Sequence, residues 1–321
     1  MHGDIEKLGI AVVYLVSERN GRLLDLHLSQ IEKNTEVPYT IYGSANRLLP
    51  QFRPVLEKNP NVRICECETF DVSNWTDRHT VIAGSREEHS FYLEQLIKQA
   101  IDDGVSHVAI LHVDSFPIAP GWARKLAAGL SETCVLAGIV RDQKADCKPL
   151  TACILFARDF YLKYNPRLLP TREEFASAEY QRYRAAVPHQ GDCGTGYGLK
   201  MFTEKLTWSQ LARSNRAGEH PLFAGLYDDL IFHLGAAAFK DSTQSVGFSP
   251  QHRRKGALRS SVKKGMDSLL GPRIRRTITD CIPLKIRRPD KHAEQVTWED
   301  ERRRLLEDPE SYFRYLRTGQ E

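Results

Sequence analysis

The chain has 321 residues, of which 41% are hydrophobic and 9% aromatic, the proportions of a globular protein with room for one large domain or two smaller ones. No apolar run reaches the ~18 residues of a spanning helix, and the N-terminus lacks the basic and apolar segments of a secretory signal. The net charge of +4 is unevenly spread: residues 253–291 carry thirteen Lys/Arg against Asp267, Asp280 and Asp290, a local +10 that leaves the rest at −6.

Seven cysteines, an odd number with no CxxC pair, argue against a disulfide framework and a thiolate zinc site, and favour a reducing, cytoplasmic setting. In chain order, "IAVVYLV" (10–16) is a continuous β-branched apolar run, as expected of a strand buried on both faces. Leu23, Leu24, Leu28 and Ile31 then recur at helical spacing within 22–35, and Pro38 ends that helix. "YTIYG" (39–43) reads as the second strand, a short helical stretch follows near 48–58, and "VRICE" (62–66) reads as the third strand. Residues 86–104 predict a strong helix with Phe91, Leu93, Leu96, Ile97, Ala100 and Ile101 as its apolar stripe and Gly104 as its stop. "HVAILHV" (107–113) is the fourth predicted strand, followed by a helix over 121–130 and a strand over 134–140.

Such alternation predicts a mostly parallel sheet with helices on both faces, which binds ligands beyond the carboxyl ends of its strands. Past residue 150 the pattern weakens to a strand and turn over 151–164 and a polar helix near 172–184. A glycine-crowded stretch, "PHQGDCGTGYGLKMF" (188–202), comes next. It is not a dinucleotide fingerprint, because no strand precedes it and no ribose-binding acid is positioned after it.

At the end of the fourth strand stand His112 and Asp114, which on a strand would face the same side and so address one ion. An imidazole with a carboxylate suits Mn²⁺ or a similar cation better than Ca²⁺. The pair alone is equally consistent with a core histidine and a helix-capping aspartate.

"HVDSFPIAPGWARKL" resembles the metal-binding strand end of GT-A-fold, family 2-like glycosyltransferases, whose usual form is Asp-x-Asp followed by a turn and a helix with Trp. His112 takes the first aspartate position and Asp114 the second, with Phe116, Pro117, Gly121 and Trp122 continuing the match over a resemblance that spans roughly 8–240. The resemblance implies a GT-A-type domain over 1–250, with 251–321 as a basic, mainly helical C-terminal extension. It also implies a divalent metal, Mn²⁺ or Mg²⁺, bridging the diphosphate of a nucleotide-sugar. In "YDDLIFHLGAA" (227–237) His233 matches a histidine that completes the metal shell in such enzymes; the other reading is a histidine packed beside Phe232 and Leu234.

The same resemblance implies an inverting transfer to a hydroxyl of a glycan or lipid-linked sugar, with Asp192 in "GDCGTG" as the base; Asp228 and Asp229 are its rivals, and a plain turn aspartate is the alternative. Ser17, Glu18 and Arg19 after the first strand, and Arg86 opening the helix that also carries His89, are expected at the nucleotide, although a solvated loop fits 17–22 almost as well. A non-catalytic nucleotide- or sugar-binding scaffold of the same fold is the competing reading, favoured by His112 standing where an aspartate is usual. A nucleotidyltransferase would need a glycine-rich phosphate loop that "VSERNGR" does not supply.

In the basic segment Leu258, Val262, Met266, Leu269 and Leu270 form a narrow stripe flanked by Arg259, Lys263 and Lys264. It fits a helix packed on the domain, and also peripheral contact with an anionic membrane, placing the protein at the inner face of a membrane. Nucleic acid is not expected, since aromatic residues do not interleave the cations and the body is acidic. Residues 296–316 read as one amphipathic helix or a pair broken at Pro309.

Overall fold

The computed structural model describes residues 4–14, 21–46, 48–71, 86–141, 146–187, 191–217, 223–235 and 291–320. Its centre is a seven-stranded mixed sheet built from β1 (Leu8–Val13), β2 (Tyr39–Ser44), β3 (Val62–Cys65), β4 (His107–Leu111), β6 (Cys134–Arg141), β7 (Asp146–Ala157) and β8 (Thr207–Leu211), in the order β3-β2-β1-β4-β7-β6-β8. Only β7 runs against its neighbours: β1 is parallel to β2 and β4, and β6 is parallel to β8. The expected mostly parallel sheet flanked by helices is therefore present.

Strand period and burial explain the layers. Along β1, Ile10 and Val12 enter one core with Leu24, Leu28 and Ile31 of α1 (Gly21–Asn34) and with Trp122 and Leu126 of α4 (Trp122–Ala127). The alternate residues Ala11 and Val13 enter the opposite core, with Leu93, Leu96, Ile97 and Ala100 of α3 (Arg86–Asp102). Every residue of β1 and β4 is buried, which is why both read as unbroken apolar runs. Trp122 is anchored by its indole N–H, which donates to Thr35 Oγ1 at 3.1 Å.

The short helical stretch expected near 48–58 is present as a 3₁₀ turn, Pro50–Phe52, followed by the short helix α2 (Arg53–Glu57). Beyond the parallel half, two differences from the sequence expectations stand out. The turn expected at the end of 151–164 is a helix, α5 (Arg158–Tyr164), closed by Asn165 in the left-handed region at φ 42°. The polar helix near 172–184 is two helices, α6 (Arg172–Ala176) and α7 (Ala178–Ala186), divided by Ser177, which is extended and caps the second. The glycine-crowded stretch ends in α8 (Thr195–Thr203).

A second, three-stranded sheet was not legible in the sequence. It orders β5 (Ser115–Pro117), β10 (Ile231–His233) and β9 (Gly225–Tyr227), all buried and antiparallel. α9 (Lys291–Glu307) and α10 (Pro309–Thr318) confirm the break at Pro309; Asp308 caps α10 by accepting from Ser311 N.

The chain divides into two compact units, Met1–Ala237 with Asp300–Glu321, and Ala238–Glu299. Thus α10 belongs to the unit that holds the sheets: Phe313 packs on Phe116 and Phe232 with ring centroids 6.2 and 5.3 Å apart, and Arg317 donates to the carbonyls of Ile118 and Asp229. The boundary expected at 250, and the basic stripe from Leu258 to Leu270, lie outside the described residues. No described helix is long and apolar enough to cross a membrane.

One core residue ties stability to pH. His27 on α1 is fully buried, its ring set edge-on against Tyr14 and Phe116 at centroid distances of 5.8 and 6.3 Å. Burial lowers its pKa to about 3, only partly opposed by a backbone group of Ser115. Below 6.5 the unfolded chain takes up a proton at this ring that the folded chain refuses. Its stability contribution is therefore complete above that pH and is lost as pH falls toward about 3, on the order of 5 kcal/mol over the whole window. Urea titrations of wild type and His27→Phe across pH 4–7 are expected to show a flatter acid limb in the variant. Parallel limbs would contradict this origin of acid lability.

Candidate functional site

β4 ends at Leu111, one residue before the pair that drew attention in the sequence. His112 and Asp114 therefore lie in a turn rather than on a strand, and Ser115 N donates to His112 O at 2.9 Å to close it. The expectation that strand alternation would align them is corrected: the turn performs the alignment. Immediately afterwards β5 pairs with β10 in a register that sets His233 opposite Ser115, and Leu234 N donates to Asp114 O at 2.9 Å. Two segments more than a hundred residues apart are thus clamped side by side at the carboxyl end of β4.

This clamp brings donor atoms of His112, Asp114 and His233 within 4.8 Å of one another. His112 Nδ1 is 4.0 Å from Asp114 Oδ1, and His233 Nε2 is 3.7 Å from Asp114 Oδ2. Asp114 and His233 are buried at 3% and 4% exposure, while His112 is the partly open member. The remaining nitrogen of His112, Nε2, faces Thr151 Oγ1 at 3.1 Å and His89 Nε2 at 3.2 Å. Burial holds His89 down to a pKa of about 4 even though the charges of Asp192, Asp114 and Glu88 pull it upward, so its ring is neutral near pH 7.

Two imidazoles and a carboxylate converging from two segments form a donor set that suits a divalent transition metal better than Mg²⁺, which prefers oxygen ligands and keeps its waters. The fit rests on donor chemistry and on the mutual distances of the three groups.

Asp192 lies near enough to His89 for its charge to act on that ring, in a loop fastened to the start of α3 and to β7. Arg86 donates to Gly191 O, Cys193 Sγ contacts Arg86 O at 3.3 Å and Ser90 Oγ at 3.1 Å, and the buried Lys148 ammonium donates to Cys193 O at 3.1 Å. Gly194, at φ +88°, approaches Pro149 O so closely that a Cβ would collide with it. Gly196 likewise abuts Arg167 O at the start of α8. These two glycines admit neighbouring backbone of the chain itself.

Half-buried Asp192 accepts from Cys193 N at Oδ1 (2.8 Å), and its own N–H donates to Thr195 Oγ1 (3.0 Å). Its carboxylate is held in a fixed direction by local backbone. Cys193 itself is a protonated thiol, its pKa pushed up to about 12 chiefly by burial and further by the Asp192 charge.

The rival carboxylates stand elsewhere. Asp228 and Asp229 form the turn between β9 and β10 with φ of 48° and 55°, Asp228 accepting from Ala212 N and Asp229 from Ser214 Oγ. They sit at the far end of β10 from His233, roughly 13 Å away along the strand for Asp229. Arg86 is half-exposed and engaged with Glu87 and Gly191 O, so it anchors the Asp192 loop. Ser17, Glu18 and Arg19 fall outside the described residues. Sequence reasoning passed over the contact of His89 and Thr151 with His112; the first is 23 residues away and the second 39, on different elements, and no local pattern links them.

No protein-family model and no curated protein matches the chain. Among solved structures it is similar to one described as a "putative nucleotide-diphospho-sugar transferase" from Desulfovibrio desulfuricans G20, at 11% identity and a TM-score of 0.38, over 64% of this chain and 80% of that one. That identity is too low to carry residue roles from one chain to the other.

Proposed function

We propose that this chain is a metal-dependent glycosyltransferase of the GT-A type, moving a sugar from a nucleotide-sugar to a hydroxyl acceptor with inversion at the anomeric carbon. The observation that supports it is the convergence of His112, Asp114 and His233 within 4.8 Å at the carboxyl end of β4, with the charge of Asp192 acting on His89 next to His112. His112, Asp114 and His233 would hold the cation, Mn²⁺ fitting the donors best; a cation there neutralises charge on a leaving diphosphate. Asp192 takes the proton of the acceptor hydroxyl as that oxygen attacks, its direction fixed by Cys193 N. Inversion follows when the acceptor enters opposite the leaving group.

The cationic excess of 253–291 supports a lipid-linked acceptor presented at the inner face of an anionic bilayer. Ser17, Glu18 and Arg19 remain assigned to the nucleotide, and Arg86 to the edge of its site.

The test is a screen of UDP-, GDP- and dTDP-sugars by thermal shift with and without Mn²⁺, followed by acceptor-dependent release of nucleoside diphosphate. One nucleotide class is expected to stabilise the protein only with Mn²⁺ and to turn over with an acceptor. Binding without turnover on any glycan or lipid-linked acceptor would overturn the enzyme in favour of a recognition module, and absence of any stabilisation would overturn both.

A further inference from the structure

We propose that His89 is a positioning residue that fixes the tautomer of His112 and thereby turns the lone pair of His112 Nδ1 toward Asp114 and His233. The inference rests on the cation reading of that cluster and adds a residue the cluster does not contain. A histidine binds a cation through an unprotonated nitrogen, so the other ring nitrogen must carry the hydrogen and needs an acceptor. In His112 the nitrogen facing the carboxylate is Nδ1, 4.0 Å from Asp114 Oδ1. The nitrogen needing an acceptor is then Nε2, and two groups stand at it: Thr151 Oγ1 at 3.1 Å and His89 Nε2 at 3.2 Å.

These two partners differ in kind. The Thr151 hydroxyl rotates and serves as donor or acceptor alike, so it accommodates either tautomer. An imidazole nitrogen has one role at a time. With an unprotonated Nε2, His89 accepts from His112 Nε2–H and leaves Nδ1 of His112 bare. The His89 ring stands at 87° to His112 with centroids 4.9 Å apart, a contact made from the first turn of α3. The opposite tautomer would place a hydrogen on His112 Nδ1, where the nearest carboxylate oxygen of Asp114, at 4.0 Å, is beyond hydrogen-bond length. That state puts a proton where the cation would bind.

The experiment uses the full chain labelled with ¹⁵N-histidine and two variants. His89→Gln keeps an acceptor in its amide oxygen; His89→Phe keeps a ring and removes both nitrogens. Long-range ¹H–¹⁵N spectra without metal are expected to show His112 protonated at Nε2 in wild type and His89→Gln, and at Nδ1 or mixed in His89→Phe. Mn²⁺ affinity, read from the free-ion EPR signal, is expected to fall about 10- to 100-fold in His89→Phe, as for loss of an outer-shell partner, and to stay near wild type in His89→Gln. Thermal melts establish folding, and His89→Leu replaces the phenylalanine variant should that one not fold.

A wild-type His112 protonated at Nδ1, or an apolar His89 variant with unchanged tautomer and unchanged Mn²⁺ affinity, overturns the proposal. A wild type that shows the Nε2-protonated tautomer but binds no Mn²⁺ upholds the role of His89 and removes the cation reading instead.

Discussion

Replacing Asp114 with alanine is expected to weaken Mn²⁺ binding by at least about 100-fold, more than loss of an outer-shell partner would cost. Asp114 is the only carboxylate of the described cluster and its geometric centre: Oδ1 faces His112 and Oδ2 faces His233. Its removal takes away the only formal negative charge of the donor set and the group that links the two imidazoles. The backbone clamp survives, because it is made by Asp114 O and Leu234 N and by the pairing of β5 with β10. Loss of affinity in a variant with near wild-type melting behaviour would therefore report on the ligand set and not on the fold. Asp114→Asn, which keeps the shape but not the charge, is expected to lose nearly as much. Free-ion EPR titration measures both, and undiminished affinity in either would exclude the carboxylate from the site.

Asp192→Asn is expected to leave Mn²⁺-dependent donor binding intact and to lower transfer by about 10²- to 10⁴-fold, the range for loss of a general base. The amide oxygen of asparagine can still accept from Cys193 N, and Arg86, Ser90 and Lys148 fasten the loop through atoms that the substitution leaves in place. What disappears is the capacity to take a proton. The loss should appear in kcat with the donor KM little changed, since the interaction removed is made with the acceptor in the transition state. Full activity would move the base elsewhere, although Asp228 and Asp229 are poor successors: both are occupied in the turn between β9 and β10.

The half of the fold carried by apolar periodicity was legible in the sequence. β1, β2, β4 and α3 are regular: β1 and β4 are buried throughout, β2 from Ile41 onward, and α3 along the face that carries Leu93, Leu96, Ile97 and Ala100. The site was legible in composition and not in geometry. His112, Asp114 and His233 could be singled out, yet their meeting depends on a turn closed by Ser115 N and on the three-residue strands β5 and β10, too short to leave a period. Glycines are similarly ambiguous in sequence. Gly194 and Gly196 serve contacts with Pro149 O and Arg167 O, and such demands are set by residues far along the chain. For the same reason α10, with Tyr312, Phe313 and Leu316 on one face, gave no hint that this face covers Phe116 and Phe232 beside the donor cluster.

The most direct measurement is an anomalous difference map, recorded above the manganese edge, from a crystal grown with Mn²⁺ and a nucleoside diphosphate. A single peak bounded by His112 Nδ1, a carboxylate oxygen of Asp114 and His233 Nε2, with phosphate oxygens completing its shell, is the predicted result. Saturating Mn²⁺ with no peak among these three side chains would contradict the account.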